Sequence, residues 1–60
     1  MKNTMYRIHW AGYDSYFVQE YTRKSGAEFF IGPIVIFGSS QECVSLLNEK
    51  RQAGYLIYGD

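Results

Sequence analysis

Sixty residues carry six Lys or Arg against six Asp or Glu, one His, one Cys, and six Tyr, four Phe and one Trp. A chain this short makes one domain, 1–60, and buries only about 60% of its unfolded surface, so stability is marginal. A solitary cysteine excludes an intrachain disulfide, and with one histidine it cannot complete a tetrahedral zinc site; no metal or cofactor is expected. Zero net charge argues against a generic polyanion binder.

No apolar stretch after Lys2 has the length of a signal peptide core, and none approaches a membrane span. A cytoplasmic location is the expectation. Tyr6, Ile8 and Trp10 alternate with Met5, Arg7 and His9, the period-two pattern of a half-buried strand. Ala11–Ser15 has the small and polar residues of a turn. Tyr16–Arg23 is rich in aromatic and β-branched residues and reads as a second strand with no clearly wet face. Arg23-Lys24-Ser25-Gly26 then forms a polar connection in which Gly26 is free to take positive φ.

Phe29–Phe37 is apolar throughout except for Gly32-Pro33, as in a strand covered on both faces. Pro33 cannot donate to the ladder, so a bulge or bend is expected there, with a very short hairpin as the alternative. Ser39 and Glu42 form a capping box before a helix of about fourteen residues, a typical length. Cys43, Leu46, Leu47 and the stem of Lys50 line its apolar stripe. Lys50 and Arg51 sit in the last turn, and Gly54 follows the helix. Tyr55–Tyr58 is a short last strand.

The expected fold is α+β: a small, mostly antiparallel sheet of three to four strands, order β-β-β-α-β, with one helix packed on one face. The first and last strands compete for the free edge of the second, so strand order stays open. The expected core is Ile8, Val18, Ile31, Ile34, Ile36, Cys43, Leu46, Leu47 and Ile57.

Chemistry is sparse. His9 and Cys43 are the only good base and nucleophile candidates, and the helix dipole would lower a thiol pKa in the first turn. Cys43 nevertheless lies on the apolar stripe, where a free cysteine is usually a small core residue. Gly38-Ser39-Ser40 precedes a helix N-terminus but lacks a nucleotide fingerprint, and Ser39 is better used as a cap. No enzymatic activity is expected.

Sheet aromatics can stack bases, with Tyr6, Trp10, Tyr16, Tyr21, Tyr55 and Tyr58 available and Arg7, Arg23, Lys24, Lys50 and Arg51 as phosphate partners. Acidic Asp14, Glu20, Glu28, Glu42 and Glu49 dilute that charge. Single-stranded nucleic acid is therefore the alternative ligand. The leading expectation is a protein partner, because Tyr and Trp anchor interfaces and one helix leaves one sheet face uncovered. The candidate partner-binding residues are Tyr13, Tyr16, Tyr21, Arg23, Lys24, Tyr55 and Tyr58. A homodimer that completes the core is a further alternative. In size and strand-then-helix order the chain is similar to small phage-encoded host-takeover proteins, which bind and inhibit one host enzyme. That likeness carries over no residue and implies only an inhibitor or modulator.

Overall fold

The computed structural model describes residues 3–24 and 28–60. The Ser25-Gly26 part of the expected connection lies outside them. Strands β1 (Thr4–Trp10), β2 (Tyr16–Arg23) and β3 (Phe29–Gly38) precede helix α1 (Ser40–Gln52) and strand β4 (Leu56–Ile57). The sheet order is β3-β2-β1-β4. β1 takes the free edge of β2, in antiparallel register, and β4 is left on the outer edge of β1, where it runs parallel. The α+β expectation therefore holds, with a mixed sheet whose parallel pair is very short.

Register sorts the side chains into cross-strand rows. Ile8, Val18 and Ile36 stand in one row, and His9, Phe17 and Phe37 in the next. Successive residues of a strand point to opposite faces, so these two rows lie on opposite sides of the sheet. The first row faces α1. Tyr6, Val18, Cys43, Leu47 and Ile57 are buried there, with Ile8, Tyr16, Ile36, Leu46 and Tyr55 packed around them. The Tyr55 ring meets Tyr6 edge-on, with centroids 5.3 Å apart.

The helix is built as its sequence dictates. Ser39 Oγ accepts from the Glu42 amide at 3.3 Å, Lys50 and Arg51 occupy the last turn, and Gly54 adopts φ +92° after the cap residue Ala53. At the chain end Arg51 grips Asp60 with two bonds, Nε to Oδ2 at 2.6 Å and Nη2 to Oδ1 at 2.9 Å.

Two members of the expected core belong elsewhere. Ile31 is 73% exposed and Ile34 52% exposed. The cause is in β3, which runs through Gly32-Pro33 as one strand with register shifts between Val18 and Gln19 and between Gln19 and Tyr21 on its partner. Each extra residue inverts the alternation. With Ile36 facing the helix, the first carries Ile34, two positions away, to the other side, where it pairs with Gln19; the second restores the phase, so Ile31, five positions from Ile36, lies opposite it as plain alternation requires and pairs with Tyr21. The Gly32-Pro33 step is thus a bulged strand rather than a hairpin. Proline is tolerated because β3 lies at the sheet edge. Gln19 Nε2 donates to the Gly32 carbonyl across this irregular stretch, which accounts for a buried amide on a face without a helix.

Candidate functional site

The face turned away from α1 is assembled from every second residue of β1 and β2 and the displaced residues of β3. Its rows are His9/Phe17/Phe37, Arg7/Gln19/Ile34, Met5/Tyr21/Ile31 and Arg23/Phe29. The first row is a ladder of rings: His9 stacks on Phe17 at 5.0 Å and Phe17 on Phe37 at 6.0 Å, the latter pair nearly parallel at 5°. Two arginines lie over rings of this layer, Arg7 4.2 Å from the Tyr58 centroid and Arg23 5.4 Å from that of Phe29. No carboxylate falls in these rows. Glu20 points to the helix side, where it accepts from the Tyr6 hydroxyl at 3.0 Å; Asp60 is held by Arg51; Glu42 and Glu49 are on α1. A neutral chain has been folded so that the paired rows of its open sheet face carry cationic, aromatic and apolar groups, with Gln19 as the one uncharged polar side chain between Arg7 and Ile34.

Of the seven residues singled out in the sequence, Tyr21, Arg23 and Tyr58 belong to this face. Tyr21 Oη shares a 3.0 Å hydrogen bond with His9 Nε2. Burial, with the Arg7 charge second, holds the His9 pKa below its ordinary value. The imidazole is therefore a neutral member of the ring ladder near pH 7. Lys24 follows β2 and reaches to 5.9 Å from the Phe30 ring.

Tyr16 and Tyr55 lie on the helix side, half-buried against the core and away from the open face. Tyr13 is 98% exposed at the tip of the β1–β2 turn, with φ +46°. Its carbonyl accepts from Trp10 Nε1 at 2.9 Å.

Phe17 and Phe37 were not singled out, and further members of this face are read differently in the sequence: Ile31 and Ile34 as core, Arg7 as a phosphate partner and His9 as a candidate base. The signal that finds them is cross-strand register, which places 9 opposite 17 and 17 opposite 37; residue type alone does not.

The Cys43/His9 pair does not assemble, because Cys43 lies in the helix-side core and His9 on the open face. Burial pushes the Cys43 thiol up; the Gly38 backbone hydrogen bond works against this and the Glu42 charge adds to it. Desolvation outweighs that hydrogen bond, so the position at a helix start does not activate the thiol. Among the described residues, no three His, Cys, Asp or Glu cluster in a way that could hold a metal ion, and no helix is long and apolar enough to cross a membrane. An open cleft of about 430 Å³ lies between β3 and α1, lined by Ile36, Gln41, Glu42, Ser45, Leu46 and Glu49. No protein-family model, curated protein or solved structure matches the chain.

Proposed function

We propose that this protein is a non-enzymatic binding module that docks an acidic surface of a larger protein onto the open face of its sheet. It would act as an inhibitor or modulator by occupying that surface. The observation that carries this reading is the His9/Phe17/Phe37 ladder flanked by Arg7 and Arg23 with no carboxylate in the same layer. Aromatic rings and arginine are the usual anchors of protein interfaces, and an uncovered apolar face marks a contact surface. The exposed aliphatic side chains of Ile31 and Ile34 favour a protein, since they offer a base nothing to stack on. The inhibitor role rests on the likeness in size and element order to host-takeover proteins.

Affinity capture from cell lysate tests the reading. Immobilised protein should enrich a specific acidic partner that an Arg7→Glu variant of unchanged far-UV circular dichroism fails to retain. Equal enrichment by both would place the binding surface elsewhere. The stacked ladder also favours a second reading, single-stranded nucleic acid. Titration with labelled single-stranded DNA and RNA at two salt concentrations decides it: binding that weakens steeply with salt supports this reading, and no binding at either removes it.

A further inference from the structure

We propose that two copies of this chain pair antiparallel along the free edge of β3, continuing the sheet from one copy into the next. Among the described residues β3 is bonded to β2 on one side and to nothing on the other, and it is ten residues long without a charged side chain. Long uncharged edges invite pairing; Pro33 and the two bulges interrupt the middle of this one, while no lysine or other charge blunts it.

The exposed apolar side chains of β3 lie on both faces. Phe30, 52% exposed, shares a row with Thr22 on the helix side, whereas Ile31, Ile34 and Phe37 project from the open side. A ligand lying on one face reaches only half of them. A strand added beside β3 reaches both.

Area and charge both select a second copy as that strand. At roughly 200 Å² for a fully exposed large side chain, Phe30, Ile31, Ile34, Val35 and Phe37 leave on the order of 500 Å² open per copy. Covered completely, these side chains in two copies would supply at most about 1,000 Å², the size at which a specific interface begins. The two ends of β3 are of opposite charge. Arg23, on the open side, and Lys24, against Phe30, lie at its start and outnumber the one carboxylate there, Glu28. Glu42 and Glu49 line the cleft beside its end. Antiparallel pairing lays the basic end of each copy against the acidic cleft of the other, as an isologous interface requires. The apolar wall of that cleft, Ile36 and Leu46, then receives Phe30 of the second copy. Parallel pairing would instead set like charges together.

Sedimentation velocity from low micromolar to near-millimolar concentration tests the pairing. The wild-type protein should form a reversible dimer. Ile31→Lys should raise the dimer dissociation constant about tenfold or more with unchanged far-UV circular dichroism, since residue 31 already faces solvent. Lys24→Glu should weaken the dimer, and Arg7→Glu, on the open face away from this edge, should leave it intact. A wild-type protein that is monomeric throughout overturns the inference. So does an Ile31→Lys dimer as tight as wild type. A Lys24→Glu dimer that is unweakened overturns the antiparallel arrangement, and an Arg7→Glu monomer points to face-to-face association instead. A monomeric wild type that still captures an Arg7-dependent partner would refute the dimer and leave the binding reading standing.

Discussion

Tyr6 shows how a single residue couples the core to pH. Its ring is buried under α1, its hydroxyl donates to Glu20, and Lys50 Nζ lies 5.2 Å from the ring centroid. Burial first, and then the Glu20 hydrogen bond and charge, push its pKa up to about 12 from 10.0. The folded state holds this proton more tightly than the unfolded chain does. The contribution is therefore complete below pH 10 and lost as pH rises toward 12. Two pKa units correspond to on the order of 3 kcal/mol. Urea denaturation across this window should show a steep loss of stability that a Tyr6→Phe variant lacks; parallel curves would contradict the assignment.

Tyr13 is the opposite case, a bulky exposed side chain held at positive φ. The left-handed region costs an ordinary L-residue roughly 1–2 kcal/mol, and asparagine tolerates it better. Tyr13→Asn should accordingly raise the melting temperature, by an amount equivalent to at most about 1 kcal/mol. A lower melting temperature would mean that the Tyr13 ring makes stabilising contacts.

At the scale of elements, α1 depends on its cap. Ser39 Oγ occupies one amide that the helix leaves unpaired, and Ser39→Ala should cost about 1 kcal/mol in chemical denaturation. A loss within a few tenths of zero would mean that water replaces the cap. The helix was fully legible because its signals are local: cap, stripe, basic last turn and following glycine lie within sixteen residues, 39–54. β3 was legible in part. Pro33 announced the irregularity at Gly32-Pro33, but the composition also announced a strand buried on both faces, and a second bulge beyond it turns Ile34 away from the helix. How many bulges form, and where, is fixed by pairing with β2, a partner that local sequence does not contain.

The whole molecule has a core of few residues, so each counts heavily. Leu47→Ala should cost roughly 2–4 kcal/mol, a large share of the stability of a marginal 60-residue domain, and should leave much of the chain unfolded near 37 °C by circular dichroism. A loss below about 1 kcal/mol would mean that the core closes around the gap. Cys43 reports on the same event, since it is fully buried with its thiol pKa raised. Labelling by a thiol reagent should proceed only through unfolding. It should speed up in the Leu47→Ala variant in proportion to the unfolded population, and fast labelling of the intact protein would contradict the burial.

What the amino-acid sequence alone determined is the set of elements and the surplus of aromatic residues over what a small core can hold. Periodicity, capping and turn residues act over a few positions, and the count of rings against one helix is plain arithmetic. The tertiary structure decided which rings form the surplus. Tyr16 and Tyr55, expected at the binding surface, pack under the helix, while Phe17 and Phe37 line up with His9 on the open face. It also set Glu20 on the helix side, so that no carboxylate falls in the paired rows of the open face. Both outcomes follow from strand register, which the pairing of distant segments fixes. A slip of one residue would move every side chain of a strand to the opposite face, and the composition of the chain would stay the same.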